Sequence, residues 1–227
     1  MGLDSCAFDN LLPTPPKNLS LFPESEFSAV NEPFYFEDLA RKNGYSFIAG
    51  VDEAGRGPLA GPVVASAVIL SPGVMLEGIR DSKQMSSEAR DQAFTSIHRE
   101  ALTSGIGVVS HRYIDEFNIL NASLEAMRQA VLALDPQPDF ILVDGIHRVP
   151  VPVPQWCIKK GDSLSRSISA ASVLAKVYRD RIMASYHQMY PVYGFDRHKG
   201  YGTARHLKAL NQYGPCPVHR MSFKGVV

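Results

Sequence analysis

The order of its apolar runs constrains this 227-residue chain more than any other feature. Ser46-Phe47-Ile48-Ala49-Gly50-Val51 is short, apolar and partly β-branched, the character of a buried strand. Pro62 to Leu70 (PVVASAVIL) is a second such run, stopped by Ser71-Pro72-Gly73. A helix opened by Ser86-Ser87-Glu88 is expected to run to about Ala101, ahead of a third strand over 106–110. From there helix and strand alternate. A helix is predicted over about 118–134, where Leu120, Leu124, Met127 and Val131 share one face. Strands follow over 140–143 and 155–158, then a long helix over about 164–190 and a last one over 203–213, stopped by Gly214-Pro215. Three strands followed by this alternation predict an α/β fold, a mixed sheet of five strands flanked by helices. The small residues Ser167 to Ser172 let the long helix lie close to that sheet.

Residues 1–44 read as an N-terminal extension. Its first 33 residues hold Pro13, Pro15, Pro16, Pro23 and Pro33 with no sustained apolar period, the pattern of a poorly ordered arm. A short helix is expected over about 35–42. Residues 45–227 form the folded domain, including a C-terminal helical segment from about 192. A hydrophobic content of 45% allows this domain a sizeable core. No run approaches the length of a membrane span, and the N-terminus lacks the basic-then-apolar order of a secretory signal. Cys6, Cys157 and Cys216 form no C-x-x-C pair, which argues against a disulfide framework and a cysteine zinc site. We therefore expect a cytoplasmic monomer.

A net charge of zero hides a polarity. Residues 145–227 carry 13 Lys and Arg against 3 Asp and Glu, whereas residues 1–144 carry 10 against 20. A basic C-terminal third suits a polyanion-binding face.

Four carboxylates fall at the ends of predicted elements. Asp52 and Glu53 follow the first strand, Asp144 follows the fourth, and Asp162 stands at the mouth of the long helix. Singly, each suits a turn or a cap. Together they describe a site, because neighbouring strands lie about 4.8 Å apart and Asp52 and Asp144 would converge if the first and fourth strands are neighbours. Carboxylate-only ligation selects hard cations, magnesium or manganese. Two such ions about 3.5–4 Å apart would suit phosphodiester hydrolysis. In a regular strand Asp52 and Glu53 point to opposite faces, so a bend is expected there. Beside them, Gly55-Arg56-Gly57 allows backbone N–H groups to approach a phosphate or hydroxyl closely. Lys83, in Asp81-Ser82-Lys83, and Tyr201, in the basic loop Arg197 to Gly202, are further candidates for touching nucleic acid. His198 and His206 show no metal-ligand spacing and are expected at the surface.

The segment GVDEAGRGPLAGPVVASAVIL closely resembles the signature of the ribonuclease HII family. The resemblance continues through DSKQMS, NILNASLEAM, ILVDG, KKGDSLSRSISAASVLAKVYRDRIM, YPVYGFDRHKGYGTARHL and YGPCPVHRMSF, over about residues 46–223. It implies a ribonuclease H-like fold with a small C-terminal helical part that helps hold the substrate. It implies that Asp52, Glu53, Asp144 and Asp162 are the catalytic and metal-binding carboxylates. Gly55, Arg56, Gly57 and Tyr201 would recognise the 2′-hydroxyl at an RNA–DNA junction, and Lys83 would lie near the substrate backbone. The implied partners are RNA/DNA hybrids and DNA duplexes containing single ribonucleotides, cut to leave 3′-hydroxyl and 5′-phosphate ends. Two other readings differ in class: a hybrid-binding protein that does not cut, and a hydrolase of small phosphoesters, for which Tyr201 and the basic third would be surplus.

Overall fold

The computed structural model of the chain describes residues 34–74, 76 and 85–226. Lys83 lies outside these residues. The described strands are β1 (Ile48–Ala54), β2 (Val63–Leu70), β3 (Ala101–Val109), β4 (Phe140–Asp144) and β5 (Gln155–Ile158). The helices are α1 (Tyr35–Lys42), α2 (Ser87–Glu100), α3 (His111–Leu132), α4 (Gly161–Leu164), α5 (Arg166–Met189), α6 (Phe195–His198) and α7 (Ala204–Tyr213).

The strands form one sheet in the order β3-β2-β1-β4-β5. β1 pairs antiparallel with β2, and β2 with β3, while β1–β4 and β4–β5 are parallel. The mixed five-stranded sheet flanked by helices is therefore as expected. All eight residues of β2 are buried, which only a strand covered on both faces requires. On one face Ala49, Val51, Ile141 and Val143 pack with Ala122, Ala126 and Val131 of α3. On the other, Ile48, Phe140 and Leu142 pack with Ile168 of α5 and with Phe36 and Ala40 of α1. A Cβ built on Gly50 would lie 2.1 Å from the Ser167 carbonyl carbon, so the start of α5 rests directly on β1 and no larger residue fits between them.

Four boundaries differ from expectation, each for a local reason. β1 does not end before Asp52. It stays paired through Ala54, with Asp52 opposite Ser66 and Glu53 opposite Ala65, and the bend comes afterwards at Gly55, whose φ is +100°. β3 starts at Ala101, five residues early. It is an edge strand with Leu102 and Val108 exposed, so its first residues lack the apolar density of a buried strand. α3 starts at His111, capped by Ser110, and breaks at Asn118 (φ 68°). The Asn118 side-chain oxygen accepts the N–H groups of Leu120 and Asn121, so the second half of α3 begins where a helix was expected to begin. The long helix is α5, which starts at Arg166, two residues after the expected start, because Ser165 caps it by accepting from the Ile168 N–H; the one-turn α4 precedes it.

α1 packs against the domain. Phe36 and Ala40 are buried, and Glu37 Oε1 accepts hydrogen bonds from Ser165 Oγ at 2.7 Å and from the Ser167 N–H at 2.8 Å. After α5, the C-terminal segment folds around Tyr193, Phe195, Ala209, Leu210 and Val218, which pack on Leu59 and Ala60 from the turn after β1. Among the described residues no helix is long and apolar enough to cross a membrane.

Candidate active site

Parallel pairing of β1 and β4 sets Val51 opposite Val143. Asp52 and Asp144, one residue further along, therefore leave neighbouring strands side by side. Asp52 shares a face with Gly50, towards α5, and Asp144 shares that face with Leu142. Asp52 is 4% exposed. Its Oδ1 accepts the Glu53 N–H at 2.7 Å, and its carboxyl also receives the Ser172 hydroxyl from α5. Asp144 Oδ1 accepts the Gly161 N–H at 2.7 Å, which ties the end of β4 to the turn that carries the buried Asp162. Asp162 is not the cap of the long helix, since Ser165 has that role. Glu53 follows on β1, close enough to Asp52 and Asp144 for their charges to interact, and Arg56 Nη1 reaches its Oε1 at 3.1 Å.

This arrangement concentrates negative charge away from water. Burial pushes the Asp52 carboxyl well above the usual carboxylate range, and repulsion from Glu53 and Asp144 pushes it further, against the hydrogen bonds from Ser172 and the Glu53 N–H. Glu53 is raised by burial and by Asp144, while Arg56 partly offsets this. Among the described residues, no group of three or more His, Cys, Asp or Glu side chains is gathered into a finished metal-ligand set. The donor chemistry nevertheless fits a hard divalent cation. Buried, mutually repelling carboxylates with only oxygen donors are what magnesium or manganese would neutralise.

The turn after β1 brings the remaining candidates to this site. A Cβ built on Gly57 would lie 3.5 Å from Cε1 of Tyr201, so the Tyr201 ring stands beside the Gly55-Arg56-Gly57 turn although 144 positions separate Gly57 from Tyr201. The Leu59 N–H donates to the Gly200 carbonyl at 2.8 Å and holds the two segments together. Tyr201 is 46% exposed and the Arg56 side chain 47%, so both present themselves to solvent.

Several residues around this site escaped the sequence reading. Ser172 sat unnoticed within a stripe of small residues. Arg179 and Arg220 are 1% and 0% exposed, and the hydrogen bonds of their guanidiniums reach the carbonyls of the same turn. His206, expected at the surface, is fully buried. Its Nδ1 donates to the Tyr201 carbonyl at 2.9 Å, and its Nε2 lies 3.0 Å from His219 Nε2. The only sequence signal for these residues was their place inside the resembling motifs.

A sequence model of the family described as Ribonuclease HII matches residues 49–226. A ribonuclease HII of Geobacter sulfurreducens is 56% identical over 209 residues, covering 92% of this chain and 95% of that one. One from Syntrophotalea carbinolica is 53% identical over 208 residues, covering 92% and 98%. A match of 209 residues is too long to lie wholly after residue 45, so the likeness reaches upstream into the segment that includes α1. Among solved structures, the ribonuclease H2 of Pyrococcus horikoshii superposes with a TM-score of 0.69 at 26% identity, over 80% of this chain and 95% of that one. A Bst-RNase HIII in complex with Mn2+ shares the fold with a TM-score of 0.64 at 18% identity, over 82% and 70%. Family match, close relatives and fold agree, and the chain belongs to the ribonuclease HII family of endoribonucleases.

Proposed function

We propose that the protein hydrolyses the RNA strand of RNA/DNA hybrids and nicks 5′ to single ribonucleotides embedded in duplex DNA, leaving 3′-hydroxyl and 5′-phosphate ends. The observation that carries this reading is the convergence of Asp52 and Asp144 at adjacent strand ends, with the Gly55-Arg56-Gly57 turn and the Tyr201 ring beside them. Asp52, Glu53, Asp144 and Asp162 would hold magnesium or manganese, two ions during turnover. When bound, these supply charge stabilisation for an in-line displacement at phosphorus.

The chain prepares this site. Ser172 and the Glu53 N–H orient the Asp52 carboxylate, the Gly161 N–H orients Asp144, and Arg56 holds Glu53. The turn would offer backbone N–H groups to the 2′-hydroxyl of the ribonucleotide, with Tyr201 against its sugar. Lys83 and the basic C-terminal third would contact phosphates on either side. The 2′-hydroxyl is sensed and does not attack, so no cyclic phosphate forms.

A labelled DNA duplex with one ribonucleotide tests this reading. The expected product is a single nick 5′ to the ribonucleotide with a 3′-hydroxyl upstream. A 2′,3′-cyclic phosphate, or binding without any cleavage, overturns it.

A further inference from the structure

We propose that Arg179 and Arg220 are positioning residues that set selectivity for a ribonucleotide, by fixing the peptide planes of the Gly55-Arg56-Gly57 turn and its distance from Tyr201. This rests on the reading above, in which that turn and Tyr201 sense the 2′-hydroxyl.

Two guanidiniums lie buried behind the turn. Arg220, near the C-terminus, donates from Nη2 to the Gly55 carbonyl at 2.6 Å and from Nη1 to the Arg56 carbonyl at 2.9 Å. It also reaches the Gly61 carbonyl from Nε at 3.0 Å and the Pro62 carbonyl from Nη2 at 3.2 Å. Arg179, on α5, donates from Nε to Pro62 at 3.0 Å, from Nη2 to Ala60 at 3.2 Å and from Nη1 to the Lys199 carbonyl at 3.0 Å. Among the described residues neither guanidinium forms an ion pair; backbone carbonyls take their hydrogen bonds, Arg220 also lies over the Phe223 ring, and the charges of Asp180 and Asp115 favour Arg179 and Arg220 from further away.

The choice of carbonyls gives the arrangement its meaning. Among the described residues the one cis peptide bond is Asp135–Pro136, so the peptides of the turn are trans. In a trans peptide the N–H points opposite to the C=O. Drawing the carbonyls of Gly55 and Arg56 inward to one guanidinium therefore aims the N–H groups of Arg56 and Gly57 away from it. Those are two successive donors of the kind that grip an anion or a hydroxyl oxygen. Gly57 stands beside the Tyr201 ring, and Arg179 holds the carbonyl of Lys199, two residues before Tyr201. The pair thus sets both halves of the sensor.

The first glycine of the turn answers to the same pair. A Cβ on Gly55 would lie 2.0 Å from Arg179 Nε and 2.4 Å from its Cδ, on a backbone with φ +100°. Gly55 is small because the turn lies on a guanidinium, whereas Gly57 has only ordinary contact behind it.

The test uses the full chain with Asp144→Asn to silence cleavage, with magnesium present. Binding is measured to two duplexes of the same sequence, one all DNA and one with a single ribonucleotide. Arg220→Lys keeps the charge and loses the two-pronged fork, and Arg179→Lys does the same at the other position. Each variant is expected to melt as a folded protein, bind the all-DNA duplex as its parent does, and lose the parent's preference for the ribonucleotide by about tenfold. An intact preference in folded variants overturns the proposal. So does a loss that merely follows weaker binding of both duplexes, or failure of both variants to fold, either of which makes the pair structural. A parent that shows no preference for the ribonucleotide removes the underlying reading instead, before any arginine is changed.

Discussion

Asp52→Asn should stabilise the protein at neutral pH even as it removes a proposed metal ligand. Asp52 is 4% exposed and is repelled by Glu53 and Asp144. Asparagine has the same shape, and its oxygen can keep the Glu53 N–H bond. The Ser172 hydroxyl can rotate to accept from the new amide. Relief of strain at a site built for function typically returns about 1–2 kcal/mol. For a chain of this size that is a rise of about 2–8 °C in melting temperature. The pH dependence has a definite sign. The carboxyls of Asp52 and Glu53 titrate in the folded protein above their ordinary range near pH ~4. The folded state therefore holds these protons more tightly than the unfolded chain. The stability they contribute is complete below the ordinary range and is lost as pH rises through the raised values. The advantage of Asp52→Asn should grow over that window and vanish near pH ~4. Thermal melts in chelator, at neutral pH and near pH ~4, measure it. A lower melting temperature for the variant at neutral pH, or an equal gain at both, would refute the electrostatic account of the site.

Two further predictions concern the sensor. Gly57→Ala places a methyl at ordinary contact distance from Tyr201, so stability should stay within about 0.5 kcal/mol of the parent. Yet kcat/KM on a lone ribonucleotide should fall, and an unchanged value would mean that the substrate does not approach this backbone. Tyr201→Phe should cost more at a single ribonucleotide than on a continuous hybrid when initial rates on both are compared. Equal losses would count against sensing by the hydroxyl.

The central strands were legible in the sequence because burial on both faces leaves an uninterrupted apolar run, as in β2. The edge strand β3 was half hidden, since Thr103 and Ser104 carry no such signal. Asp52 and Glu53 were placed beyond their strand because carboxylates interrupt an apolar run even where the pairing continues. The polarity of the site was visible in residue types, whereas its supports were not. Arg220 reaches the Gly55 carbonyl across 165 positions, and an isolated arginine in a sequence ordinarily reads as solvated. His206 was misplaced for the same reason: only the tertiary fold supplies His219 and the Tyr201 carbonyl as its partners. Local pattern reports burial and turns, and long-range polar pairing leaves no periodicity to read.

The most direct test of the central claim, that these carboxylates form a metal-dependent cleavage centre, compares the protein with Asp144→Asn on two labelled duplexes. One contains a single ribonucleotide and the other a continuous RNA strand on DNA, each with magnesium, manganese or chelator. Asparagine keeps an oxygen for the Gly161 N–H, so the fold should survive the loss of charge. The account predicts metal-dependent cleavage of both duplexes by the protein, and turnover lower by orders of magnitude in the variant. Near-normal turnover of Asp144→Asn at saturating magnesium, or cleavage by the parent in chelator, would contradict it.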